Sequence, residues 1–279
     1  MEQTDLFEIR RMVHNALEED IRSGDITTDS IIPYSATASA ELIAKEEGII
    51  CGLEVAAMVF MTLDNKTEWH PVVNEGDFVS KGARIALVNG QFRALLSGER
   101  TALNFLQRMS GIATKTTQFC NELQGYKTKL LDTRKTAPGL RHIDKYAVKT
   151  GGGTNHRYGL YDMVLIKDNH ITLAGGITPA IEAVKERHGS LYRIEVECAS
   201  IQQVTEALKA EADVIMLDNM PLPMMKQAVE LIGNRAKTEA SGNITLERLR
   251  PIAETGVDYI SSGALTHTVK ALDISMLIK

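Results

Sequence analysis

Val214-Ile215-Met216-Leu217-Asp218-Asn219 is an apolar run that ends abruptly in two polar residues, and a helix-length amphipathic segment follows it. A short apolar run bounded by polar residues reads as a buried strand, and a strand followed by such a segment is one βα unit. The pattern recurs at Lys129 to Leu131, Met163 to Ile166, Ile194 to Val196, Thr238 to Ala240 and Tyr259 to Ser261. That makes about six units, short of the eight of a complete TIM barrel. Ala212-Asp213-Val214-Ile215 and Val257-Asp258-Tyr259-Ile260 are half-matches consistent with repeated units, though too short to prove duplication. The expected fold is α/β, with an incomplete barrel of about six parallel βα units.

Upstream the pattern differs. Thr4 to Glu19 places Phe7, Ile9, Met12, Val13, Ala16 and Leu17 at loosely helical spacing, and Arg22-Ser23-Gly24-Asp25 interrupts it. From about Ala38 to Val88, short apolar runs alternate with Glu47-Gly48, Asn74-Glu75-Gly76-Asp77 and Lys81-Gly82, turn-like punctuation between strands. A helical stretch around Glu99 to Leu106 follows. We therefore expect an N-terminal α/β domain over residues 1–108 and a barrel domain over 109–267.

The 279 residues admit one large domain or two, and 44% hydrophobic with 24% charged residues is ordinary for a globular protein. A formal charge of -5 gives no overall attraction to nucleic acid or an anionic membrane, so an anionic substrate needs a local basic cluster. The acidic start lacks the order of a secretory signal, and no apolar run approaches the roughly 20 residues that span a bilayer. A cytoplasmic protein without nucleic-acid or membrane partners is the expectation. Cys51, Cys120 and Cys198 form no CxxC pair and read as reduced thiols.

The residues after each strand carry the chemistry: Asp132-Thr133-Arg134-Lys135, Lys167-Asp168-Asn169-His170, Glu197-Cys198, Asp218-Asn219, Ser241-Gly242-Asn243 and Ser262-Gly263-Ala264. In parallel βα architectures the carboxyl ends of the strands gather at one face, where ligands bind. Any one of these could be a solvated cap or turn, but six in register argue for convergence. Glu195 and Glu197 share a strand face and need partners, which a ring of Lys and Arg would provide unless this is an edge strand with a wet face. The two Ser-Gly loops suit an anion, although such turns are common without one. Gly151-Gly152-Gly153-Thr154-Asn155-His156-Arg157 is no dinucleotide loop, because His156 stands where GxGxxG requires glycine. Walker A, HExxH and GxSxG are absent.

Taken in order, Glu99-Arg100-Thr101-Ala102-Leu103-Asn104, Asp132 to Thr136, Gly151 to Asp162, Leu165 to His170, Glu195 to Cys198, Met216 to Asn219, Ala240 to Ile244 and Ser261 to His267 resemble the quinolinate phosphoribosyltransferases along nearly the whole chain. Ala137 and Lys270 depart from that pattern. The resemblance implies an N-terminal α/β domain joined to an incomplete barrel, with the tail 268–279 packing on the first domain. It implies quinolinate and phosphoribosyl pyrophosphate as substrates, and a homodimer at minimum, with a hexamer of dimers left open. Magnesium would be bound mainly through phosphoribosyl pyrophosphate, without a dedicated protein metal site.

Carried over, Lys135, Lys167, Glu197 and Asp218 would be catalytic. Arg134, Lys135, His156, Arg157 and Lys167 would hold quinolinate and pyrophosphate oxygens, and Arg100 would reach in from the partner subunit. Glu197 and Asp218 would engage ribose hydroxyls or magnesium. Ser241, Gly242 and Asn243 would hold the 5′-phosphate with Ser262, Gly263 and Ala264, and Thr133 and His267 would also touch substrate. Two other readings compete: a related phosphoribosyltransferase for a different anionic ring, and a carrier module, because Glu75 to Gly82 resembles a turn of biotinyl and lipoyl domains. Lys45 lacks the carrier's hairpin motif, and most of the chain would go unexplained.

Overall fold

The computed structural model describes residues 3–279. It begins with α1 (Gln3–Ile21), in which Ile9, Val13 and Leu17 recur every four residues and are buried, the stripe an amphipathic helix turns to its core. In α2 (Ile26–Ile31) the preceding Asp25 is the N-cap, its Oδ1 accepting the Thr28 amide at 3.0 Å. Next come β1 (Thr37–Ala44), β2 (Gly48–Ile49), α3 (Leu53–Leu63), β3 (Glu68–Pro71), β4 (Phe78–Val79) and β5 (Arg84–Gln91). Gly52 has no side chain to cap α3, and Glu75 supplies the acceptor, taking the Gly52 amide at 2.9 Å and the Leu53 amide at 2.7 Å.

The helix expected around Glu99 to Leu106 is part of a longer one, α4 (Phe92–Glu122), which runs through residue 108. Its buried series continues past Leu106 to Met109, Ile112 and Ala113. Interspersed hydroxyls hide that periodicity in the sequence, but they bond within the helix: Thr114 Oγ1 donates to the Ser110 carbonyl at 2.7 Å and Thr116 Oγ1 to that of Ile112 at 2.8 Å. The chain forms two compact units. The first holds residues up to 117 with 136–152 and 268–279, and the second holds 118–135 and 153–267. The sequence-derived boundary at 108 lies inside α4, nine residues short of this division.

The second unit contains β6 (Lys129–Leu131); α5 (Arg141–Thr150) belongs to the first; then follow β7 (Val164–Ile166), α6 (Asp168–Ala174), α7 (Ile177–His188), β8 (Ile194–Cys198), α8 (Ile201–Lys209), β9 (Val214–Asp218), α9 (Leu222–Ile232), β10 (Lys237–Ser241), α10 (Leu249–Ala253), β11 (Tyr259–Ser261) and α11 (Ala264–His267). Its six strands make one parallel sheet in the order β6-β11-β10-β9-β8-β7. Consecutive strands lie side by side from β7 to β11, and β6 closes onto β11. A full ring would also join β6 to β7. There the barrel stays open, with Thr154 making a single parallel bridge to Leu131 and exchanging backbone bonds with Leu130 and Asp132 at 2.8 and 3.1 Å. This is the incomplete α/β barrel expected from the sequence. β8 is interior, so the wet edge-strand alternative for Glu195 and Glu197 falls.

The last strand, β12 (Ile274–Ile278), pairs antiparallel with β1, from Ala40 opposite Ile278 to Ala44 opposite Ile274, and completes the first unit's sheet β12-β1-β5-β3. The returning tail passes α4 so closely that a Cβ on Gly111 would lie 2.1 Å from the Lys270 carbonyl oxygen. The Leu272 amide bonds the Gln107 carbonyl at 3.0 Å, and Gln107 Nε2 donates to the Ile274 carbonyl at 2.7 Å.

Candidate active site

The carboxyl ends of the six strands surround a cavity of about 660 Å³ within the second unit. β6 leads to Thr133 and Lys135, and the Lys135 amide donates to Thr133 Oγ1 at 3.0 Å, tightening the turn. β7 delivers Lys167, β8 Glu197 and β9 Asp218 to the same cavity. β10 brings Ser241, Gly242 and Asn243, and β11 brings Ser262, Gly263, Ala264 and, one turn on, His267. Lys167 Nζ stands 3.4 Å from Glu197 Oε2, with the side chains about half and one-fifth exposed, so neither is fully neutralised. At Gly263 a Cβ would sit 2.8 Å from Lys135 Cδ, so this turn lies directly against the lysine's stem.

Beneath the rim is a buried cluster. His156 Nε2 lies 3.0 Å from Glu195 Oε2 and 3.4 Å from Glu239 Oε2. Both acids are at most 1% exposed, and Oε1 of each is buried without a hydrogen-bond partner. Burial works against a charged imidazole, but the facing carboxylates of Glu195 and Glu239 prevail and raise its pKa to about 10. Burial likewise pushes the Glu195 carboxyl well up. The cluster therefore retains a proton at neutral pH. The Arg157 amide lies 2.7 Å from Nδ1 and fixes the ring with Nε2 turned toward the two acids. The spacing of these three side chains would also suit a metal ion. A ligating histidine normally donates from its other nitrogen to an acceptor, however, whereas here Nδ1 faces the Arg157 amide, itself a donor.

The sequence pairing is thus corrected in part: Glu197 meets a lysine, but the partner of Glu195 is His156 and not a ring of Lys and Arg. Glu239 is not singled out by the sequence, because its strand, Lys237–Ser241, is largely polar and offers no apolar frame of the kind that makes Glu195 stand out. Asp132, the residue after β6, has a positioning part here. It is fully buried, and its carboxylate takes the His156 amide at 2.8 Å and Asn155 Nδ2 at 2.7 Å, fixing the loop that carries His156. Asn219 also lines the main cavity.

The remaining expected residues are placed differently. Arg157 lines a smaller cavity of about 160 Å³ with His156, Glu195 and Glu239, and its Nη1 donates to the Met163 carbonyl at 3.1 Å. Arg134 lines neither cavity, but its charge is felt by the Arg157 guanidinium, whose pKa burial lowers first and Arg134 second. Arg100 is on α4 in the first unit, exposed, in surface pockets shared with Asp20.

A cavity walled by lysines, carboxylates and Ser-Gly turns at the mouth of a parallel barrel defines an enzyme for a polyanionic small molecule. The N-terminal domain model of quinolinate phosphoribosyl transferase matches residues 25–110 and its C-terminal domain model residues 112–277. The chain belongs to the quinolinate phosphoribosyltransferase family. It is 47% identical to quinolinate phosphoribosyltransferase (decarboxylating) 2b, mitochondrial, of Nicotiana tabacum, across 98% of this chain and 82% of that one. A probable nicotinate-nucleotide pyrophosphorylase (carboxylating) of Bacillus subtilis is 46% identical, across 96% and 93%. The crystal structure of NadC from Streptococcus pyogenes superposes with a TM-score of 0.95 at 40% identity, covering 98% of this chain and 97% of that one. Among the described residues no helix is long and apolar enough to cross a membrane.

Proposed function

We propose that this chain joins quinolinate to phosphoribosyl pyrophosphate and releases pyrophosphate and carbon dioxide, forming nicotinate mononucleotide for NAD biosynthesis. The observation that carries this reading is the meeting of Lys135, Lys167, Glu197 and Asp218 on one cavity at the carboxyl ends of six parallel strands. The pyridine nitrogen attacks the anomeric carbon as the bond to pyrophosphate breaks, and positive charge develops on the sugar. Glu197 and Asp218 stabilise that charge and engage the ribose hydroxyls. Arg134, Lys135, His156, Arg157 and Lys167 take the oxygens of quinolinate and pyrophosphate. The turns at Ser241-Gly242-Asn243 and Ser262-Gly263-Ala264 hold the 5′-phosphate, and Thr133 and His267 complete the substrate contacts. In the quinolinate adduct the cationic ring nitrogen stabilises the electron pair left on the adjacent carbon when its carboxylate departs as carbon dioxide, and a proton then takes the vacated position on that carbon, so no further organic cofactor is needed.

Magnesium fits the oxygen donors at this rim. Glu197 and Asp218 would stand beside an ion held mainly by the pyrophosphate, and it would supply charge neutralisation on the leaving group. We place the activity in a homodimer in the cytoplasm, with Arg100 serving the partner's site; its exposure on α4 leaves the guanidinium available for that. The deciding experiment incubates the protein with quinolinate, phosphoribosyl pyrophosphate and magnesium and follows nicotinate mononucleotide and carbon dioxide. Nicotinate should be a poor substrate, because it leaves cations for the second carboxylate unpaired. Equal use of nicotinate would reject the dicarboxylate pocket.

A further inference from the structure

Asn219 follows β9 and is one of four non-glycine residues with positive φ among the described residues, at +51°. The left-handed region is costly for most side chains, and asparagine enters it most readily when its amide is locally bonded. Here both ends of that amide are bonded. Nδ2 donates to Asp218 Oδ2 at 2.7 Å, and Oδ1 accepts from Asn243 Nδ2 at 3.3 Å. The Asn219 backbone amide donates to the Ser241 carbonyl at 2.9 Å. Gly242 leaves room for this arrangement: a Cβ there would fall 2.2 Å from Asn219 Oδ1, and its own φ is +97°. Arg248, which does not line the cavity, holds the Asn243 carbonyl at 2.8 Å on the loop's other side.

We infer that Asn219 is a positioning residue that sets the separation between the Asp218 carboxylate and the 241–243 turn, and hence the fit of ribose 5-phosphate in its extended, transferable form. This rests on the proposed reading, in which Asp218 meets the ribose hydroxyls and the turn meets the 5′-phosphate. Ribose 5-phosphate held in one conformation presents one span between its hydroxyls and its phosphate, so the spacing of the two protein elements selects that conformation. One planar amide bonded to both fixes that spacing more rigidly than two independent loops would. The left-handed backbone makes the side chain's direction possible, and it also permits a clean substitution, because glycine adopts the same φ without penalty.

The test compares wild type, Asn219→Gly and Asn219→Ala, with quinolinate and phosphoribosyl pyrophosphate varied separately and phosphoribosyl pyrophosphate binding measured by calorimetry with magnesium. In Asn219→Gly, the KM and Kd for phosphoribosyl pyrophosphate should rise about tenfold or more, the scale of a lost hydrogen bond to a charged group. The KM for quinolinate should stay within about twofold and the melting temperature should hold. Asn219→Ala should show the same KM split together with a lower melting temperature, since it adds left-handed strain. Unchanged phosphoribosyl pyrophosphate parameters in Asn219→Gly, or equal rises for both substrates, would overturn the inference while leaving the activity intact. Wild-type protein that neither binds phosphoribosyl pyrophosphate nor forms nicotinate mononucleotide would overturn the underlying reading, and the inference with it.

Discussion

Lys135 and Lys167 leave different strands and meet at one cavity, while their strands' apolar residues pack elsewhere. Their truncation should therefore cost function and not folding. Lys135→Ala and Lys167→Ala should each lower kcat/KM by about 10- to 100-fold or more, the scale of one lost charge-assisted bond, with melting temperatures close to wild type. Unaltered activity would remove the residue from the site, and a lowered melting temperature would make its role structural. His156 gives a prediction with a definite sign. Its proton affinity is raised in the folded protein from 6.5 to about 10, so its contribution to stability is complete below the unfolded value and lost as pH rises toward about 10. Glu195, pushed up by burial, acts in the same direction at lower pH. Denaturation midpoints should fall from pH 6.5 to 9.5 in wild type and fall less steeply in Glu239→Gln. Parallel slopes would mean that Glu239 does not hold this proton.

At the scale of the element, α4 and the returning tail depend on a single missing side chain. A Cβ on Gly111 would press on backbone, the Lys270 carbonyl oxygen, and backbone cannot rotate aside as a flexible side chain could. Gly111→Ala, favourable in an isolated helix, should therefore destabilise the protein by about 1–3 kcal/mol, the usual cost of overpacking. Chemical denaturation would measure it, and a stabilised variant would contradict the close approach. Packing also explains why α4 extends beyond its sequence estimate: Met109, Ile112 and Ala113 stay buried after Leu106, and the threonines that follow, Thr114 and Thr116, satisfy their hydroxyls on the preceding turn.

For the whole molecule, the proposed dimer makes Arg100 and Asp218 parts of one site drawn from two chains. Arg100→Ala and Asp218→Ala homodimers should each be nearly inactive. Mixed dimers made by refolding the two together should regain activity, because one of their two sites combines intact Arg100 with intact Asp218. Differential tags would establish that mixed dimers form; if they do and no activity returns, Arg100 acts within its own chain or in folding alone.

The six βα units, their polar endings and the family are legible in the order of amino acids alone, because burial on both faces of a parallel strand and the return to polar residues at its end are local patterns. Lys129 to Leu131 and Tyr259 to Ser261 are strands with the bounds read from the chain, and the other four shift by no more than two residues at an end. Lys135, Lys167, Glu197 and Asp218 were legible as candidates for the same reason. Partnership between distant residues emerges only in the folded chain. That His156 serves Glu195 and Glu239, that β12 pairs with β1, and that Asn219 ties Asp218 to Asn243 all depend on contacts between segments far apart in the chain. Periodicity can show that a buried acid needs a partner. Which one it gets is set by how the strands close around it, since neighbours across a barrel are fixed by sheet order and register and leave no mark in the local sequence.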